Sequence, residues 1–126
     1  MPLSIQNDTV VVLGASTNPA RYSYKAVLWL RDAGYKVIAI GKNGGSIGDV
    51  NITEILPAEI EKLYAISIYL NPINQVEYYY KIVNLKPKQV IFNPLAENHE
   101  LEKLLTENKI HCTEACTLVM LKTGQF

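Results

Sequence analysis

Few residues in this sequence could do chemistry, and the most suggestive stretch is Gly14-Ala15-Ser16-Thr17-Asn18-Pro19-Ala20-Arg21, directly after the aliphatic run Thr9–Leu13. Gly14 lets the backbone turn close to a ligand. Ser16, Thr17 and Asn18 can donate hydrogen bonds or cap, and a helix starting just beyond offers unpaired amides to an anion. The Arg21 guanidinium adds a fork that suits phosphate oxygens. A strand, a glycine turn and a helix commonly hold a pyrophosphate, yet a dinucleotide fingerprint carries three glycines and this stretch has one. The competing reading is a helix start capped by Ser or Asn, with Arg21 simply solvated.

The end of the run Lys36–Ile40 discriminates between ligands. NAD-binding folds place an acidic residue there to hold the ribose hydroxyls. Here Gly41, Lys42 and Asn43 follow, and no carboxylate appears before Asp49. A lysine suits an extra phosphate on the ribose, as in NADP or in the 3′-phosphate of coenzyme A, so NAD is disfavoured.

Catalytic groups are sparse. His99 and His111 are the only histidines, and each reads as a surface or satisfied residue. No H-E-x-x-H, G-x-S-x-G or Walker loop occurs. Carboxylates are scattered over helix faces, apart from Glu97 and Glu114 near strand ends. Cys116 is the one group of potential reactivity, placed near the start of the last helix where thiols can be activated. Its alternative is a small core residue, and Cys112 reads as packing. Two cysteines four apart, without histidine partners nearby, give neither a disulfide framework nor zinc spacing, so no metal site is expected. The missing catalytic set points to binding and leaves the question of an enzyme open.

These residues need a frame. Thr9–Leu13, Lys36–Ile40, Ala65–Leu70, Lys88–Phe92 and Ile110–Thr113 read as five strands, several of them continuous apolar runs typical of a sheet covered on both faces. A helix over Tyr22–Ala33 turns Ala26, Val27, Leu30 and Ala33 inward, and Gly34 stops it in the left-handed region. Glu54–Leu63 is a short helix candidate broken by Pro57. Asn71-Pro72 starts another, with Ile73, Val76, Tyr80 and Val83 as its buried stripe. Asn98 caps a fourth, with Glu100 in its first turn and Leu101, Leu104 and Leu105 inward, and Ala115–Lys122 forms the last. The segment from Gly41 to Asn51 holds four of the seven glycines and is either a flexible connection or a wall of the ligand site. Tyr78–Tyr80 read as rings partly covering a helix edge, with a homodimer surface as the other use. Strands alternating with helices predict a mostly parallel α/β sheet with helices on both faces. Its ligand belongs beyond the carboxyl ends of the strands, where strand order reverses.

The chain of 126 residues fits one domain, 1–126, with its core at about 9–122. Net charge is zero, which argues against nucleic acid or an anionic membrane as the main partner. No apolar run approaches a membrane span, and the polar start, Met1 to Asp8, lacks a signal-peptide core. A cytoplasmic location is expected.

Three segments together resemble a known family: "GASTNPARYS" after the first strand, "VIFNPLAEN" around the fourth and "EACTLVMLKTGQF" at the end. They are similar to those of the small bacterial CoA-binding domain proteins, relatives of the nucleotide-binding domain of the succinyl-CoA synthetase alpha subunit. The resemblance implies a single-domain, Rossmann-like three-layer sandwich. It implies that Gly14, Ala15, Ser16, Asn18 and Arg21 contact the pyrophosphate or 3′-phosphate of coenzyme A. Lys42, Asn43, Leu70, Asn71 and Asn93 would then enclose the adenosine, with Glu114–Cys116 beside the cleft, and Thr17, Gly41 and Cys116 are counted among the cofactor-binding residues. Leu95 stands where family members often carry glycine, and "GKNGG" stands where many have "VNP". The synthetase's phosphohistidine domain has no counterpart here, so ligase activity is not implied. The primary expectation is a binder of coenzyme A or an acyl-CoA. The alternatives are an NADP-dependent oxidoreductase-like protein and a redox regulator joining Cys116 to coenzyme A in a mixed disulfide.

Overall fold

The computed structural model describes residues 8–126; the reading of the polar start falls largely on residues outside them. At its centre is β1 (Thr9–Leu13), buried along its whole length. A valine-rich run without polar alternation needs apolar cover on both faces, and the pleat divides it between them. Val10 and Val12 pack with Val27 and Leu30, whereas Val11 and Leu13 join Ile82, Phe92, Leu101 and Leu105. Full burial of each such side chain contributes roughly 1.5–3 kcal/mol.

Six further strands build on it: β2 (Lys36–Ile40), β3 (Ser46–Ile47), β4 (Val50–Thr53), β5 (Leu63–Ile68), β6 (Gln89–Phe92) and β7 (His111–Glu114). The order across the sheet is β3-β4-β2-β1-β5-β6-β7. Every neighbouring pair is parallel except β3 with β4. Helices α1 (Tyr22–Asp32) and α5 (Thr117–Lys122) cover the Val10 face. The other face is covered by α2 (Pro72–Gln75), a 3-10 turn at Val76–Tyr78, α3 (Tyr79–Leu85) and α4 (His99–Glu107). This is the expected three-layer α/β architecture. Among the described residues no helix is long and apolar enough to cross a membrane.

Among the described residues the sheet has seven strands and not five, because the glycine-rich segment after β2 folds into a hairpin. Ile47 pairs with Val50 across the two-residue turn Gly48-Asp49, and Gly48 takes φ +58°. Val50 and Ile52 point inward while Asn51 and Thr53 face solvent. That alternation was the available signal, masked by the glycines around it.

No helix forms over residues 54–62. Pro57 lacks an amide proton and disfavours helical geometry at Leu56. Leu56 is a buried plug whose carbonyl accepts from Lys81 Nζ at 3.1 Å. The expected stripe of Ile73, Val76, Tyr80 and Val83 also fails. Ile73, Val76 and Tyr80 are exposed, Val83 is half-buried, and Gln75, Tyr78 and Ile82 point inward instead. The 3-10 turn advances three residues per turn, so it shifts the phase of the face beyond it. Of the three tyrosines, Tyr78 is buried, Tyr79 half-buried and Tyr80 exposed. Ala33 is an exposed cap position outside the inward stripe of α1.

Local signals were reliable elsewhere. Gly34 takes φ +100° after α1. Asn71 Oδ1 accepts from Asn74 N at 3.0 Å with Pro72 opening α2, and Asn98 Oδ1 accepts from Leu101 N at 3.1 Å.

Candidate functional site at the carboxyl edge of the sheet

Parallel strands end on a common edge, and strand order reverses about β1, with β2 on one side and β5 on the other. Loops leaving β1 and β5 therefore diverge and open a crevice there. Gly14 turns out of β1 at φ +100°, and both Gly14 N and Ala15 N donate to Ile40 O, at 2.9 and 2.8 Å.

Three glycines make this edge. A Cβ on Gly14 would lie 3.2 Å from the Leu70 backbone nitrogen and side chain. One on Gly41 would sit 2.3 Å from the Ala15 carbonyl oxygen, and one on Gly45 would sit 2.6 Å from Thr17 Cγ2. The close approach that a fingerprint achieves with glycines in one loop is here shared between the loops after β1 and β2. Gly14, Ala15, Gly41 and Leu70 are thereby brought together, with Thr17 against Gly45.

Ser16 and Asn18 shape the first loop and do not cap the helix. Ser16 Oγ accepts from Asn18 N at 3.1 Å, and Asn18 Oδ1 accepts from Ala20 N at 3.0 Å. Arg21 itself occupies the N-cap of α1 in extended conformation and makes no side-chain cap bond, and the first turn carries no acidic residue. The positive end of this eleven-residue helix thus meets no capping side chain and no carboxylate of its own first turn. Arg21 is exposed, and among the described residues no salt bridge engages it.

Lys42 and Asn43 are exposed beyond β2. Lys42 Nζ lies 3.9 Å from Glu77 Oε2, a residue of the 3-10 turn. Asp49, the first carboxylate after β2, is occupied elsewhere: both its oxygens accept from Arg31 of α1. The Arg31 hydrogen bond holds the Asp49 carboxyl below the usual carboxylate range, and Asp49 in turn raises Arg31.

The β5–β6 side is built differently. Asn93, fully buried after β6, donates through Nδ2 to Ser67 Oγ and Ile68 O, both at 2.9 Å, and Oδ1 accepts from Thr117 N at 2.8 Å. Ser67 Oγ and Thr117 Oγ1 are 2.7 Å apart. Asn93 therefore bolts β6 to β5 and α5, and its side chain has no donor left for a ligand. Cys116, half-buried at the N-cap of α5, is fixed by this bolt through the adjacent Thr117. Cys112 is also half-buried, and burial, then the nearby Glu102, raises its thiol. Tyr69 follows β5 with a buried hydroxyl near Ser67 and Thr117, and burial pushes it up to about 12.

Sequence reading missed Gln75. It is fully buried, and its Nε2 donates to Leu70 O and Ala96 O, both at 2.8 Å, while Oε1 accepts from Asn98 Nδ2 at 2.9 Å. It ties the loop after β5, carrying Leu70 and the exposed Asn71, to the loop after β6. No local pattern marks it, since a glutamine inside a helix reads as solvated. Further along the edge, ligand atoms of His99, Glu102 and Glu114 lie within 4.8 Å of one another. Burial, then a hydrogen bond with the Glu114 carboxyl, raises Glu102, whose Oε2 is buried.

Comparison with known proteins supports the fold. The chain is similar over 95% of its length to 98% of an uncharacterized protein of known crystal structure, at 41% identity and TM-score 0.90. A Thermus thermophilus protein, at 23% identity and TM-score 0.80, matches 98% of this chain over 93% of its own. A hypothetical protein from Pyrococcus horikoshii OT3, at 19% identity and TM-score 0.81, matches 96% over 85%. These last two show the fold, which is Rossmann-like. No curated protein matches the chain. The model of the CoA binding domain family matches residues 8–122, nearly the whole chain. The chain therefore belongs to the CoA binding domain family.

Proposed function

We propose that this protein binds coenzyme A or an acyl-CoA at the carboxyl edge of its sheet, as a binder and not as a catalyst. The pyrophosphate lies against the Gly14–Asn18 loop and the first-turn amides of α1, with Arg21 as its charged partner. Lys42 takes the 3′-phosphate, and Gly41, Asn43, Leu70 and Asn71 line the adenosine. Thr17 shapes the loop by its packing on Gly45, and Asn93 supports the floor without touching the ligand. Cys116 stands beside the cleft. The observation that carries this reading is the uncapped, acid-free start of α1 reached through a glycine turn at the switch point, in a chain of the CoA binding domain family.

Calorimetry and thermal melting with coenzyme A test it, with NADPH as the competing ligand. Coenzyme A at 100 times its dissociation constant stabilises the fold by about 2.7 kcal/mol. A shift with NADPH and none with coenzyme A overturns the assignment in favour of a nicotinamide cofactor.

A further inference from the structure

We propose that Glu77 is a built-in competitor for Lys42, holding it across the crevice until a phosphomonoester displaces the carboxylate, and that this exchange holds down the affinity for ligands bearing a 3′-phosphate. The inference rests on the reading of this edge as a coenzyme A site. Lys42 lies just beyond β2 and Glu77 follows β5, while β1 runs between those strands. Their approach at 3.9 Å therefore spans the end of β1, where the Gly14 loop begins.

The two partners are held unequally. Glu77 precedes Tyr78, which is buried and anchors the 3-10 turn. Lys42 extends from a glycine-rich segment in which Gly44 and Gly45 take positive φ. The long, unbranched lysine stem lets its ammonium reach either the carboxylate or a ligand phosphate. The Lys42 and Glu77 side chains are 64% and 59% exposed, so the pair is weak and easily exchanged. A phosphomonoester carries between one and two charges at neutral pH where a carboxylate carries one. It outcompetes Glu77, whereas a ribose hydroxyl in the same place does not.

Calorimetry with coenzyme A and 3′-dephospho-coenzyme A, on the wild type, Glu77→Gln, Lys42→Gln and the double variant, tests the exchange. Thermal melting without ligand checks that each variant is folded. Glu77→Gln tightens coenzyme A about threefold and leaves the dephospho form unchanged. Lys42→Gln weakens coenzyme A about tenfold and abolishes the difference between the ligands. The double variant behaves as Lys42→Gln alone. Equal binding of both ligands by the wild type, or a Glu77→Gln gain that persists without Lys42, overturns the proposal while leaving the coenzyme A site intact. Failure of both ligands to bind the wild type overturns the site itself.

Discussion

On the β5–β6 side of the crevice, Asn93, Ser67, Thr117, Gln75 and Asn98 are buried and hydrogen-bonded to one another or to backbone. On the β1–β2 side, Thr17, Asn18, Arg21, Lys42 and Asn43 are exposed, and most of their donors face water. The first wall uses its polar groups to fix strand ends in place. The second relies on glycine contacts for its shape and keeps its charges for something else. A ligand site needs both, because a charge positions a phosphate only when the loop that carries it is itself held.

If the walls divide the work in this way, substitutions on them separate stability from binding. The largest effect is expected for Asn93→Ala, which leaves the buried Thr117 amide without its acceptor and removes the bonds to Ser67 Oγ and Ile68 O. It should cost about 3–4 kcal/mol in denaturant unfolding. A loss under 1 kcal/mol would show that water replaces the bolt and that the β6 wall is not rigid. Gly41→Ala is next, at about 2–3 kcal/mol, because its methyl drives into the Ala15 carbonyl. It should also weaken coenzyme A binding, since both loops must shift, and this variant breaks the division by moving both readouts.

Arg21→Ala should change stability by no more than about 0.5 kcal/mol and weaken coenzyme A binding about tenfold. A drop in melting temperature without a binding change would reverse the roles of the walls. The smallest effect concerns Glu102, at the far end of the edge. Its raised carboxyl means that the folded chain keeps a proton that the unfolded chain has already lost. Its contribution is therefore fully present at low pH and is lost as pH rises from the ordinary carboxylate range through the raised value. Melting curves across that window should show Glu102→Gln falling less steeply than the wild type.

What was legible in the sequence is what local physics decides. The Thr9–Leu13 run can only be a covered strand, and Gly34, Asn71-Pro72 and Asn98 each mark a helix boundary by their own backbone chemistry. The Gly41–Asn51 hairpin was obscured because its alternation spans only a few residues, set among glycines that also suit a loop. The inward face of residues 72–85 depended on a 3-10 turn that no residue type announces. For the site, the Gly14 turn and the exposed Arg21 and Lys42 lie where the sequence implied. The internal role of Asn93 was not legible, since an asparagine after a strand serves a ligand or a neighbouring helix equally well. Only the tertiary approach of Thr117 decides between them.

The β3–β4 hairpin joins the rest of the sheet by a short seam, for β4 pairs with β2 only at Ala39↔Ile52 and Ile40↔Thr53. Such a margin opens at lower free energy than the five-residue pairings on either side of β1. In native-state hydrogen exchange the amides of 46–53 should therefore trade their protons well before those of β1. Because Gly45 of the preceding loop packs on Thr17, each opening also releases one side of the first loop. Bound ligand should slow exchange most at this distant hairpin, so that protection there reports occupancy of a site the hairpin does not itself line.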